Sequence, residues 1–116
     1  MLESPFREIA QWVAAEYAVR VPNVVYDSVT YDRPRLIVIL ETQKDALKFQ
    51  DGASGDFNKI DQKRVQERFE TILAEQGDHR FNVGGLFVVF AAFERVARME
   101  ANESVRKKNF IGSNSS

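Results

Sequence analysis

A run of five aliphatic residues, Leu-Ile-Val-Ile-Leu at positions 36–40, constrains the fold more than any other feature of the chain. Side chains on a strand alternate between two faces, so this run predicts a central strand that is apolar on both faces. The segment 86–90 predicts a second strand of the same kind. We expect helices to cover one face of the resulting sheet. The other face is covered either by the chain's own helices or by a second subunit.

The segments before and around the first apolar strand predict a helix and a hairpin. Ser4 followed by Pro5 is typical of a helix start, and this helix is expected to end near Val19. Its apolar residues recur at helical spacing: Phe6, Ile9, Val13 and Tyr17. Residues 24–31 and 35–42 predict a β-hairpin with its turn at 32–34.

Further helices follow, and the order of elements predicts an α+β fold. Thr42 is expected to cap a short helix that ends at a glycine-containing segment, 51–56. A longer helix, 58–76, has an inner stripe beginning at Ile60, and Gly77 has the position of its C-cap. Segment 80–93 leaves alternatives open. Residues 80–83 and 86–90 form two strands joined by a tight turn or bulge at Gly84-Gly85, or one strand runs through the glycines. We favour strand to about residue 90 and then helix to about residue 107 over a helix that begins at residue 86. The predicted order is α-β-β-α-α-β-(α), with helices on a small, mainly antiparallel sheet.

Composition and charge narrow the possible function classes. The 116 residues fit a single α+β domain over 1–111 with a flexible tail over 112–116. The net charge of −1 predicts no strong field of either sign. Cysteine is absent, which excludes disulfides and zinc–thiolate sites and fits a cytoplasmic protein. The sequence shows no signal peptide, no apolar run of membrane-helix length and no cofactor motif, so we expect neither a membrane nor a cofactor.

His79, the single histidine, follows Asp78 and is the first candidate for chemistry. A histidine oriented by a carboxylate is a common general base. Adjacent residues in an extended segment point to opposite sides, however, which weakens that pairing. We therefore expect His79 to lie in a loop or at the start of a strand. One histidine cannot form an all-histidine metal site, and no metal is predicted.

Acidic residues at both ends of the first apolar strand form a second pattern. Asp27 or Asp32 precedes the strand, and Glu41 follows it. This resembles the PD-(D/E)xK nucleases, in which acids on two strands hold Mg²⁺ and a lysine steadies the attacking water. Lys44 follows Glu41 by three residues instead of two, which places the two on opposite faces of a strand, whereas Gln43 has the spacing of a rarer variant. The alternative interpretation is a polar strand end followed by a helix cap.

The glycine loop 52–55, Gly-Ala-Ser-Gly, lies between two predicted helices. A GxxG loop in this position resembles the loop with which KH domains grip a nucleic-acid backbone. The order α-β-β-α-α-β also resembles the type II KH topology, and the resemblance implies RNA binding. Asp51 and Asp56 flank the loop and would oppose phosphate binding, so a flexible helix–helix connection is the simpler interpretation.

Clusters of basic and of aromatic residues are the remaining sequence patterns that bear on function. The basic residues near the C-terminus alternate with acids, which is typical of a solvated helix face: Arg95, Arg98, Arg106, Lys107 and Lys108. Aromatic residues are crowded around the second apolar strand, and Trp12 lies off the main stripe of the first helix; the crowded set is Phe81, Phe87, Phe90 and Phe93.

A sheet that is apolar on two faces, together with the weakness of every catalytic pattern, predicts a non-enzymatic binding or interaction protein. We expect it to be a cytoplasmic homodimer, and no catalytic or binding residue is assigned from sequence. A KH-like RNA-binding module is the first alternative. A divergent Mg²⁺-dependent nuclease is the second.

Overall fold

The computed structural model describes residues 2–93, and these form an α+β fold. The elements are α1 (Phe6–Tyr17), β1 (Asn23–Asp27), β2 (Arg35–Leu40), α2 (Gln43–Leu47), a 3₁₀ turn (Gly52–Ser54), α3 (Lys59–Gln76) and β3 (Phe87–Ala92). The predicted class and the order α-β-β-α-α-β are confirmed. The last predicted helix and the predicted tail over 112–116 lie outside the described residues.

The sheet has three strands in the order β1-β2-β3, so the aliphatic run 36–40 lies in its centre as expected. β1 pairs with β2 in the antiparallel sense, and β2 pairs with β3 in the parallel sense. The sheet is therefore mixed, with one antiparallel and one parallel pairing, whereas a mainly antiparallel sheet was predicted. The parallel pairing requires a crossover between β2 and β3, and α2 and α3 form it.

One face of the sheet forms the core with the helices. Leu36 and Val38 have no exposed surface, and Val88 and Phe90 are each 2% exposed. Residues from all three helices belong to the same buried cluster: Ile9, Ala10 and Val13 of α1, Ala46 of α2, and Val65, Phe69, Ile72 and Leu73 of α3. Phe49, which follows α2, stacks on Phe90 with ring centroids 4.1 Å apart. All the described helices thus contribute to the same side of the sheet.

The predicted start of α1 is wrong in one detail. Pro5 occupies the N-cap position, and no side chain caps the helix. Ser4 lies one residue before the N-cap, and its Oγ accepts a hydrogen bond from Gln76 Nε2 at 2.8 Å. The helix ends at Tyr17, before the predicted end, since Ala18 adopts the left-handed conformation with φ of 54°.

The later helix boundaries follow the sequence more closely. Thr42 caps α2 by accepting a hydrogen bond from the Asp45 backbone N–H at 3.1 Å. Gly77 is the left-handed C-cap of α3, with φ of 62°. Ile60, predicted on the inner stripe of α3, is instead 71% exposed. It lies five residues before the buried Val65, and at ~100° per residue this places it about 140° around the helix from the core side.

Segment 80–93 contains the favoured strand and not the alternative helix. β3 spans Phe87–Ala92, so the alternative of a helix beginning at residue 86 is wrong. Residues 80–83 do not form a strand. A turn precedes β3: Gly85 has φ of 72°, and the Leu86 N–H donates to the Val83 carbonyl at 3.1 Å. None of the described helices is long and apolar enough to cross a membrane.

Candidate interaction surface

The second face of the sheet carries no helix among residues 2–93. Val25, Ile37 and Val89 lie side by side across β1, β2 and β3 in the centre of this face. None of the three belongs to the buried cluster or packs against it. Val25 is 37% exposed, and Ile37 and Val89 are half-buried. We call this surface, with its centre at these three residues, the open face.

The rows on either side extend the open face. Asn23, Ile39 and Ala91 align at one end. Ile39 is only 7% exposed although it lies outside the cluster beneath the helices, so this end of the face is covered and the exposed part is the centre and the opposite end. Asp27, Arg35 and Phe87 align at the other end. Phe87 is 42% exposed, which is unusual for a phenylalanine on a sheet with a well-formed core. The open face is thus mainly aliphatic, with its charged groups confined to one end.

A pocket occupies that charged end, and we call it the corner pocket. Its lining consists of Tyr31, Asp32, Arg33, Arg35, Phe87 and Val89. The guanidinium carbon of Arg35 lies 3.8 Å from the centre of the Tyr31 ring. The guanidinium of Arg33 lies 5.5 Å from the centre of the Phe87 ring, and its Nε donates to the Gly85 carbonyl at 3.0 Å. Each arginine is therefore stacked on one exposed aromatic ring.

Asp27 organises the loop that forms the corner pocket. Its Oδ1 accepts hydrogen bonds from the backbone N–H groups of Val29 and Thr30 at 3.0 and 3.1 Å, and its Oδ2 accepts one from Arg35 Nη2 at 3.0 Å. The hydrogen bonds from Thr30 and Val29, followed by that from Arg35, hold the pKa of the Asp27 carboxyl well below its usual range. Asp27 therefore remains ionised and fixes the loop against the end of β2.

Arg35 retains one unused hydrogen-bond donor. Its Nε is buried and has no partner, although Nη2 binds Asp27. A buried donor without an acceptor is uncommon in folded proteins. The Tyr31 ring stacks over this guanidinium and is itself 55% exposed. The corner pocket thus has an arginine with one buried, unpaired N–H beneath an exposed aromatic ring.

The candidate histidine does not form a catalytic pair. His79 is exposed. Its neighbour Asp78 binds Arg80 instead, with Oδ2 and Nη2 2.8 Å apart. The hydrogen bond from the Arg80 side chain lowers the pKa of Asp78 to about 2. Arg80 also pairs with Glu3 at 2.6 Å, so this cluster ties the segment after α3 to the start of the chain. The expected loop position of His79 is confirmed.

The acids of the nuclease-like pattern are not brought together. Asp27 faces Arg35 at the start of β2, whereas Glu41 follows the end of β2 and pairs with Arg20. At ~3.3 Å per residue, the backbone positions at the two ends of β2 lie about 20 Å apart. Asp32 lies in the loop near Asp27, so it is far from Glu41 as well. No group of three metal-ligating side chains occurs among residues 2–93. The nuclease pattern is therefore not assembled.

The glycine loop lies between α2 and α3, as predicted, and its polar groups satisfy one another. Gln50 and Phe57 form a bridge at its base, and the Asp51 N–H donates to the Asp56 carbonyl at 2.6 Å. The Ser54 hydroxyl donates to the Asp51 carbonyl at 2.9 Å. Both flanking aspartates are exposed. The loop is thus a closed turn with two carboxylates beside it, and the basic cluster 95–108 lies outside the described residues.

The aromatic residues that the sequence places around the second apolar strand, together with Trp12, lie partly in the core and partly on the surface. Phe90 is buried, and the half-buried Phe81 makes an edge contact with Phe6, with ring centres 5.2 Å apart. Trp12 packs edge-on against Tyr17. Phe87 and Phe93, by contrast, are 42% and 48% exposed.

In comparisons with known proteins, no protein-family model, curated protein or solved structure matches the chain. Its candidate function therefore depends on its own residues. Sequence analysis did not identify the corner pocket. The signal available was the alternation of Arg35 with Ile37 and Ile39, which places all three on one face of β2.

Proposed function

We propose that this protein is a non-enzymatic cytoplasmic interaction domain that forms a homodimer through the open face. The observation that carries the proposal is the row of Val25, Ile37 and Val89, which crosses all three strands with no described helix above it. An apolar surface of this kind is stabilised when a second chain removes it from water. A two-fold homodimer is the commonest assembly that does so.

The composition of the open face supports association through its centre. Three aliphatic side chains occupy the middle, and arginine and aromatic residues stand at one end, as in many interfaces with an apolar centre and polar rim. Tyr, Phe and Arg are also enriched in interfaces.

Sedimentation equilibrium of the full chain over a wide concentration range tests the proposal. We expect a monomer–dimer equilibrium that Ile37→Lys weakens strongly, since it places a charge at the centre of the open face. Ile60→Lys is the matched control, because Ile60 is 71% exposed on α3, which packs on the other side of the sheet. Val25→Lys gives a second test at a more exposed position, should Ile37→Lys fail to fold. A monomer at millimolar concentration, or equal effects of the Ile37 and Ile60 variants, would contradict the proposal.

A KH-like RNA-binding module remains the second candidate, and the position of the glycine loop favours it. The loop lies between α2 and α3 in the order α-β-β-α-α-β that the resemblance requires. If phosphates bind there, removing the neighbouring charges with Asp51→Asn and Asp56→Asn must increase the affinity for single-stranded RNA. Arg106→Ala and Lys107→Ala must decrease it. Fluorescence anisotropy at low ionic strength measures both effects, and an absence of binding there excludes this function.

A further inference from the structure

We propose that, in the homodimer, Asp32 of each subunit forms an ion pair with Arg33 of the other subunit at the corner pocket. The inference rests on the proposed homodimer and adds to it the contact that orients the two copies. It begins from two adjacent, exposed and oppositely charged side chains that line the same pocket.

Neither charge is neutralised by an ion pair within residues 2–93. The Arg33 guanidinium donates through Nε to a backbone carbonyl, that of Gly85, and stacks on Phe87. Asp32 lies beside it in the sequence and pairs with no described cation. The neighbouring pair is different, since Arg35 and Asp27 are joined at 3.0 Å. This end of the open face thus has one formed ion pair, Asp27 with Arg35, and one acid and one base that have no ionic partner among residues 2–93.

This arrangement fits a second copy of the chain better than a strongly charged partner. The four charges at this end, those of Asp27, Asp32, Arg33 and Arg35, sum to zero, so there is no net field to attract a nucleic acid or an acidic peptide. A two-fold axis makes every contact occur twice, with residue i facing residue j and j facing i. An unpaired acid beside an unpaired base is self-complementary under that operation.

The position of the pair is compatible with the open face. Phe87 and Val89 line the corner pocket and also lie on the open face, so the two surfaces are continuous. The loop that carries Asp32 and Arg33 is fixed by Asp27, which binds two of its backbone N–H groups, and by the stacking of Tyr31 on Arg35. A preorganised loop loses little conformational freedom when it binds, which favours a specific contact.

Charge exchange tests the inference. Asp32→Arg and Arg33→Asp each place like charges opposite one another twice in the dimer, and we expect each to raise the dimer Kd about tenfold or more. The double variant D32R/R33D exchanges the two charges and is expected to restore a Kd close to that of the original chain. Mixing the two single variants should give a heterodimer in preference to either homodimer. Glu75→Arg, an acid-to-arginine change at an exposed position of α3, is the control and should leave the Kd unchanged.

Sedimentation equilibrium separates the failure of this inference from that of the proposed homodimer. If the unmodified chain dimerises and Ile37→Lys weakens the dimer while the charge variants do not, the dimer stands and the ion pair is wrong. If the single variants weaken the dimer but neither the double variant nor mixing restores it, the pairing of Asp32 with Arg33 is also wrong. A monomeric unmodified chain overturns both proposals.

Discussion

Adjacent valines on β1 provide a test of which sheet face is covered. Val24 is 4% exposed and belongs to the buried cluster, whereas Val25 is 37% exposed on the open face. Val24→Ala and Val25→Ala remove the same two methyl groups from neighbouring positions of one edge strand. The loss of strand propensity is therefore similar in the two variants, and the difference between them reports burial.

The expected magnitudes follow from the exposures. Removing two buried methyl groups at ~0.8 kcal/mol each costs about 1.6 kcal/mol, and the cavity left at Val24 raises this to about 2–3 kcal/mol. Val25 in a monomer leaves no closed cavity and is already partly in water, so Val25→Ala should cost about 1 kcal/mol. The predicted difference in the free energy of unfolding is about 1–2 kcal/mol.

Urea unfolding at high dilution, followed by far-UV circular dichroism, measures this difference. With an m-value of ~2 kcal/mol per molar urea, the two midpoints should differ by about 0.5–1 M. Raising the protein concentration should increase the cost of Val25→Ala but not that of Val24→Ala, because only Val25 lies in the proposed interface. Equal costs at high dilution would show that the open face is covered within the monomer and would refute the reasoning.

Two further predictions concern the residues that contact the helices. Phe90→Ala should lower the free energy of unfolding by about 3–5 kcal/mol because it removes a buried ring that stacks on Phe49. Phe87→Ala, on the open face, should lower it by only about 1 kcal/mol in the dilute monomer. Thermal unfolding compares the two variants, and similar losses would contradict the assignment of faces. Burial, followed by the charge of Asp61, raises the pKa of Tyr17 from 10.0 to about 12, so the folded state retains this proton more strongly than the unfolded state. That contribution to stability is fully present below pH 10 and is lost as the pH rises towards 12. Tyr17→Phe should remove this part of the pH dependence of the urea midpoint. The same change of midpoint with pH in both proteins would count against the prediction.

Local patterns in the sequence account for most of the elements. The aliphatic run 36–40 identified the central strand, and Thr42 and Gly77 identified helix ends. A turn at the paired glycines 84–85 was one of the alternatives, and the structure has it before β3. These signals act over a few residues, through periodicity, capping and positive φ, and can therefore be recognised without knowledge of the tertiary structure.

The features that sequence reasoning missed depend on contacts between distant segments. Ser4 lies one residue before the N-cap of α1 and pairs with Gln76, which lies 72 residues away. Ile60 has an apolar side chain, but its angular position on α3 directs it away from the sheet. The corner pocket combines the β1–β2 loop with Phe87 of β3, and only the parallel pairing of β2 with β3 brings them together.

Which face of the sheet the helices cover also depends on contacts between distant segments and could not be predicted from sequence. Residues 36–40 are apolar at every position, so the sequence predicted two apolar faces without indicating which one the helices cover. Core packing decides this, since Leu36, Val38 and Leu40 join the helices while Ile37 does not. The homodimer stays a prediction, because it depends on what contacts the other face.

Intermolecular nuclear Overhauser effects in a mixed sample of isotope-labelled and unlabelled chains test the homodimer most directly. We predict contacts between the methyl groups of Val25, Ile37 and Val89 in one copy and the same group of residues in the other. The buried methyl groups of Leu36 and Val38 should show only contacts within their own chain. An absence of intermolecular effects at Ile37 would contradict the homodimer. Effects there only from residues 94–116 of the same chain would also contradict it, and would show that the chain covers this face itself.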